Sequence, residues 1–418
     1  MMSDASSFWK VLGPGLIFAA AAVGVSHLVQ ATRAGAGWGL ALGGLILIAN
    51  LAKYPAFRFG PQFAAATGTS LLEGYRRQGR WVLVIYGLLT VATMFAVQAG
   101  VTVVTAGLAK AAFGMPGTPV QISAGLLAIC GIVLGVGRYH WLDKIVKVLV
   151  AVFTVSTVAA TALVLPRIDF GAAEFWLAPS QMDHKTIMFV AALVGWMPSA
   201  IDVAVWSSLW TLAKGQDTGH KPTVREAILD FHIGYFGTAF LAICFLLLGA
   251  GVMHGQNVPI QESAGGFAAQ VLSLYQETLG DWSRPLIGVC AFAVMFSTTL
   301  TVLDGFPRAI VTLLDRLRGP ETDHNENMER RKTYWLAIIV QAAGATAILA
   351  LFLSGLPRLI DIATTLSFMT APVLAFFNHR AMRFVDEADR PKPWLSAMSI
   401  AGTIALSVFA LYYLTLLI

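Results

Sequence analysis

Charged side chains make up 12% of the 418 residues, about half the roughly 25% of soluble domains. A soluble chain so poor in charge could not cover its surface with polar groups. With 57% hydrophobic residues and a mean hydropathy of +0.71, the composition excludes a cytosolic enzyme and a disordered chain. It leaves an all-α polytopic membrane protein. Cysteine is almost missing too: Cys130, Cys244 and Cys290 lie inside apolar runs, with neither a disulfide framework nor metal-type spacing. No Walker, HExxH or GxSxG pattern occurs, so ATP hydrolysis, proteolysis and ester hydrolysis lack support and no enzyme is expected. The net charge of +5 and pI near 9.1 would suit a nucleic-acid partner, but the basic residues form no continuous stripe.

What is abundant is long apolar runs. About eleven are long enough for a bilayer, near 11–31, 38–58, 82–109, 119–136, 142–165, 186–212, 227–253, 284–312, 333–353, 357–377 and 394–417. Each is expected to be a helix, because lipid offers backbone groups no partner. The first run has no A-x-A cleavage pattern and reads as a span rather than a signal peptide. Alternating loops from a cytoplasmic N-terminus place only Arg33, Lys110, Arg167, Lys185, Arg284 and Arg358 outside, and the other 22 of 28 basic residues inside. This asymmetry predicts N-terminus in and C-terminus out, in a bacterial inner membrane. Nine tryptophans, Trp9, Trp38, Trp81, Trp141, Trp176, Trp210, Trp282, Trp335 and Trp394, fall near span ends as interface anchors. Lys53, Arg58, Arg138, Lys144 and Lys147 read as snorkelling residues at inner helix ends. Loops are short apart from about 313–332, so 1–418 is expected to be one membrane domain.

Two spans carry breaks. Span one contains Gly13-Pro14-Gly15 and then Gly24-Val25-Ser26-His27; span six contains Gly195-Trp196-Met197-Pro198-Ser199. Pro198 has no amide hydrogen, and Gly24 and Gly195 lift the Cβ constraint, so unwinding is expected. Glycine and proline are common in membrane helices, and one such span alone would mean only a packing kink. Spans one and six, however, are equivalent members of two five-helix halves, about 11–165 and 186–377, with the helix at 394–417 left over. Matched interruptions point to a transporter binding site.

These stretches resemble the Nramp family of divalent-metal transporters, within the class that shares the LeuT fold. Gly24-Val25-Ser26-His27 stands where the family carries Asp-Pro-Gly-Asn, followed by Ala34-Gly35 and Trp38-Gly39. Met197-Pro198-Ser199 resembles the family's Met-Pro-His, Gly68 to Glu73 its segment after span two, and Ser297-Thr298-Thr299 its span-eight Ser/Thr cluster. The resemblance implies a LeuT-type 5+5 inverted repeat plus one helix, with helices one and six interrupted, forming a transport domain. It also implies that the span-one Asp and Asn and the span-six Met bind metal, and that the span-six His moves protons. Here those positions hold Gly24, His27, Met197 and Ser199.

The loss of the acid changes the expected chemistry. A divalent cation in a low-dielectric site needs charge compensation, and His27 with Met197 makes a poor manganese or iron site. Broken helices expose N-terminal amides that attract anions. Gly24, Ser26, His27, Gly195, Trp196, Met197 and Ser199 are therefore expected to bind a small inorganic anion such as bicarbonate. The alternative is a proton-coupled divalent-metal transporter with a remodelled site. By the resemblance, Na⁺ would couple through Ser297, Thr298, Thr299 and carbonyls near Val23; those hydroxyls could equally bond their own backbone. Asp202 is a proton carrier or charge balance, for Arg33 or another base. Asp304 is a proton or cation group, or the partner of Arg308 one turn on. No resident cofactor, nucleic acid or obligate protein partner is expected; the partners are the ion and the lipid bilayer. A channel or a non-transporting sensor are the further classes considered.

Overall fold

A computed structural model describes residues 13–136, 139–171, 173–254, 259–321, 328, 331–352 and 355–416, and no side chain of 137–146 or 352. Trp9, Lys10, Arg330, the predicted start of span one at 11–12 and the last residues of the eleventh span, 417–418, lie outside the described residues. So do the side chains of Arg138, Trp141 and Lys144.

Helices occupy all eleven predicted segments. Span one is α1 (Pro14–Ala22), a π-helix (Ser26–Ala31) and α2 (Thr32–Trp38). Span two is α3 (Gly43–Thr67), followed by a short amphipathic α4 (Leu71–Gln78). Spans three to five are α5 (Arg80–Phe113), α6 (Pro119–Val136) and α7 (Tyr139–Val164). Span six is α8 (His184–Trp196) and α9 (Asp202–Thr218), and span seven is α10 (Val224–Leu248). A connecting α11 (Ala264–Leu279) precedes span eight, α12 (Ser283–Arg318). Spans nine to eleven are α13 (Lys332–Phe352), α14 (Leu356–Ala381) and α15 (Pro393–Thr415). Neither α4 nor α11 was expected from the apolar runs.

Among the described residues, eight helices are long and apolar enough to cross a membrane, or nine when the two halves of span one count together. The other two expected spans differ for physical reasons. Helix α3 carries Asn50, Lys53, Arg58 and Gln62, and span six is split into helices of 13 and 17 residues. Large apolar side chains such as Leu51, Leu88, Ile132, Val155, Leu351 and Leu411 stay exposed, as a lipid-facing exterior requires.

Local chemistry sets the ends of the broken spans. Asp183 caps α8, accepting from the Thr186 amide at 2.7 Å, and Thr223 with Glu226 forms a capping box on α10. The start of α1 is capped from afar: the Asp230 carboxylate on α10 accepts from the amides of Gly13 and Gly15 at 3.1 and 2.6 Å. That contact needs glycine, since a Cβ on Gly15 would stand 2.0 Å from the Asp230 carbonyl oxygen. Spans one and seven are thereby held backbone to backbone. Outside the spans, Glu73 on α4 binds Arg76 at 2.7 Å and Arg77 at 3.3 Å and accepts from the Glu321 amide. Burial pushes the Glu73 carboxyl up, but Arg76, the Glu321 amide and Arg77 together hold it below its ordinary value.

Candidate ion-translocation site

The helical ladder of span six stops where expected. Helix α8 ends at Trp196, a cis peptide joins Met197 to Pro198, and helix resumes at Asp202. Pro198 offers no amide to continue the ladder. At the start of α9 the amides of Val203 and Ala204 bond the carbonyls of Ala200 and Ile201 at 3.2 and 2.9 Å, so these two donors are not open to an anion.

Gly195 has a different role from the one expected. It lies within α8, and a Cβ there would stand 2.1 Å from the Thr364 carbonyl oxygen on α14. The glycine permits close packing of spans six and ten rather than unwinding. Beside it the Trp196 indole donates to Ser367 Oγ at 2.8 Å.

Span one bends by 43° between its halves. The Gly24 amide bonds Ala22 O at 2.8 Å, and the Gly24 carbonyl accepts from His27 and Leu28. A π-helix then runs through Ser26 and His27, a distortion frequent at functional sites. Gly24 lies against α12: its Cβ would stand 2.9 Å from Thr298 Cγ2.

Between these breaks is a cavity of about 30 Å³, lined among others by Val25, Ser26, Trp196, Ser199, Thr298 and Phe306. It has room for a water molecule or two. Four of the expected site residues therefore converge on it: Ser26, Trp196, Ser199 and Thr298. His27 does not. Its Nε2 donates to the Thr238 carbonyl on α10 at 2.9 Å, and Nδ1 lies 2.7 Å from Ser26 Oγ. The ring is a fully buried link between spans one and seven. Gly24, Gly195 and Met197 stand beside the cavity without lining it, and Met197 is fully buried.

The span-eight cluster divides. Thr298 Oγ1 donates to Ala20 O on α1 at 2.7 Å and to Val294 O at 3.1 Å. Thr299 turns to span three, where its hydroxyl meets Thr105 Oγ1 at 2.7 Å. The Ser297 carbonyl accepts from Thr301. Val23 closes α1, its amide bonding Ala19 O at 2.7 Å. Of the span-eight residues in the expected coupling set, only Thr298 has a described hydrogen bond to span one.

Charges separate more clearly. Asp304 binds Arg308 at 2.8 Å and accepts from the Trp210 indole at 3.2 Å and Tyr334 at 2.5 Å. Its charge is structurally engaged, and Trp210 is a buried partner rather than an interface anchor. Arg33 pairs with Asp361, not Asp202. The Asp202 carboxylate is buried, and neither oxygen has a hydrogen-bond partner among the described residues. Among those residues, no group of three His, Cys, Asp or Glu could hold a metal.

Two polar clusters at the broken spans escaped the sequence. One is Lys53, expected to snorkel at a helix end. It is the eleventh residue of the 25-residue α3 and fully buried, with Nζ donating to Val194 O at 2.5 Å, Gly195 O at 2.8 Å and Ser199 O at 3.3 Å. The other is the cluster of Gln30, Arg33 and Asp361 joining span one to span ten, with Arg33 bonding Asp361 at 2.6 and 3.1 Å and Gln30 at 2.8 Å. A signal existed for Lys53, a charge inside an apolar run; Arg33 and Asp361 lie near the ends of their segments and gave none.

Helices in all eleven predicted segments, the first and sixth of them broken, form an all-α membrane architecture of the LeuT-type fold. Residues 15–416 match the family described as Natural resistance-associated macrophage protein-like, and the chain belongs to this Nramp family. An uncharacterised protein of Pasteurella multocida (strain Pm70) is 36% identical over 98% of this chain and 92% of its own length. Among solved structures, an Eremococcus coleocola manganese transporter, bound to an aromatic bis-isothiourea substituted compound, aligns with a TM-score of 0.72 at 14% identity. The match covers 97% of this chain and 87% of that one. A nucleobase-cation-symport-1 family transporter in a closed conformation with bromovinylhydantoin bound aligns at 0.55 and 15% identity, over 96% and 91%. The chain is thus an integral membrane transporter.

Proposed function

We propose that this protein moves a small inorganic ion by alternating access through the space between the two broken spans. The observation that carries this reading is one small cavity shared by the span-one bend, the span-six break and Thr298 of α12. For the cargo, family membership and the fold shared with a manganese transporter support a divalent metal ion better than bicarbonate. In that reading the Met197 sulfur and the carbonyls of the break are the nearby donors, and Asp202 supplies negative charge one turn beyond Pro198. Asp202, free of hydrogen bonds among the described residues, suits a proton carrier. Sodium coupling between span one and α12 has the Thr298 contact in its favour. The basic-residue asymmetry favours a cytoplasmic N-terminus, and the equivalence of spans one and six favours two five-helix repeats.

A second reading, a small anion, is favoured by the buried ammonium of Lys53 at the break. A fixed positive charge attracts an anion and opposes a dication. Calorimetric titration of the purified protein separates the two. Saturable manganese binding, weakened by Met197→Ala, is the expected result. Bicarbonate binding with no manganese binding would replace the first reading by the second.

A further inference from the structure

Lys53 is the buried basic group that the metal reading does not use and that the anion reading uses only as a nearby positive charge. Its stem runs inside the bundle from the middle of α3, and its three donor hydrogens meet three carbonyl oxygens, those of Val194, Gly195 and Ser199. No carboxylate is ion-paired with it among the described residues. The acceptors have one thing in common. Val194 and Gly195 belong to the last turn of α8, where carbonyls lose their i+4 partners and only the Met197 amide reaches Val194 O, at 3.4 Å, and Ser199 belongs to the non-helical link to α9. A helix C-terminus carries partial negative charge, and a ring of carbonyls without amides is the usual coordination of a bound monovalent cation.

We propose that the Lys53 ammonium is a built-in cation, tethered to span two, that occupies the carbonyl ring of the span-six break. It holds the two halves of span six in register and places an ammonium group beside the translocation cavity. The carbonyls of Val194, Gly195 and Ser199 are then already engaged, and any cation cargo must compete with the tethered ammonium for them. The positioning role of Lys53 does not depend on which ion is carried; its selectivity role rests on the metal reading.

Removing the tether while keeping the ring provides the test. Lys53→Ala in the full-length protein would leave the three carbonyls facing a space the size of an ammonium group with part of its stem. Thermal unfolding of the purified protein is followed in choline chloride and in rising ammonium or methylammonium chloride at constant ionic strength. The expected result is a lowered midpoint in choline for Lys53→Ala, and saturable recovery of at least half the loss by ammonium or methylammonium. Tetramethylammonium, too large for the ring, gives no recovery, and the unsubstituted protein shows no such dependence. A lowered midpoint that no small cation restores would overturn the proposal, as would unchanged stability of Lys53→Ala in choline. Should Lys53→Ala yield no folded protein, Lys53→Gln decides, because it keeps N–H donors but not the charge. A Lys53→Gln protein less stable than the unsubstituted one, with manganese bound more tightly, supports the built-in cation. A Lys53→Gln protein matching the unsubstituted one in both stability and manganese affinity overturns it.

Discussion

Replacing Asp361 by asparagine removes one carboxylate and leaves the side-chain shape almost unchanged. In the native protein this carboxylate receives two bonds from Arg33, at 2.6 and 3.1 Å, and thereby clasps the second half of span one to α14. The Arg33 side chain is only 10% exposed, whereas that of Asp361 is 35% exposed. Removing one member of a buried pair costs about 3–5 kcal/mol, because the other charge stays buried without compensation. Solvent around Asp361 screens part of this. Gln30 and the Phe189 ring, 4.9 Å from the guanidinium, retain some of the rest. A loss of about 2 kcal/mol remains, or roughly thirtyfold in the balance between clasped and opened arrangements. The assay is the labelling rate of a single cysteine, Ser26→Cys, by a membrane-impermeant thiol reagent; Ser26 lines the cavity, and the native cysteines are buried. Asp361→Asn should raise that rate at least tenfold from the side on which Trp38 lies. A rate unchanged within twofold would show that the pair does not hold the site closed.

Three further outcomes follow from particular contacts. Gly195→Ala gains up to about 1 kcal/mol of helix propensity but forces a methyl onto the Thr364 carbonyl, an overpacking cost of about 1–3 kcal/mol; a lower unfolding midpoint is expected, and a raised one would return the glycine to an unwinding role. Asp202→Asn should abolish the dependence of transport on a proton gradient while leaving manganese binding measurable by calorimetry; preserved proton dependence would remove Asp202 from the coupling path. Glu73 has a folded-state pKa below its ordinary 4.5, so its contribution to stability is present above about that value and is lost as pH falls through the depressed folded value. Glu73→Gln should therefore lower stability at neutral pH and flatten the acid limb of a pH-stability curve; parallel acid limbs in both proteins would contradict the network.

The helical pattern was readable because lipid leaves the backbone no choice, and all eleven apolar runs became helices. The break at Pro198 was readable for the same covalent reason, the missing amide. The reading failed where residue type was taken for position. Lys53 was assigned to a helix end because the second apolar run was read as 38–58, yet α3 spans Gly43–Thr67, so the charge falls in mid-helix. His27 occupies the interruption in sequence but faces α10, because the π-helix rotates it away from the cavity onto Thr238. Gly195 illustrates a general ambiguity: a glycine that allows unwinding and one that allows close approach are identical in sequence, and only the neighbouring Thr364 carbonyl separates them. Asp361 was not singled out at all, since the match of its charge to Arg33 spans 328 residues.

Uptake into proteoliposomes tests the central claim most directly. Radiolabelled manganese and radiolabelled bicarbonate are offered under an imposed proton gradient, a sodium gradient and no gradient. The expected result is saturable manganese accumulation that requires a gradient and collapses when the gradient is dissipated. Rapid non-saturating flux of a channel type, or no gradient-driven movement of either ion, would contradict secondary-active ion transport by this protein.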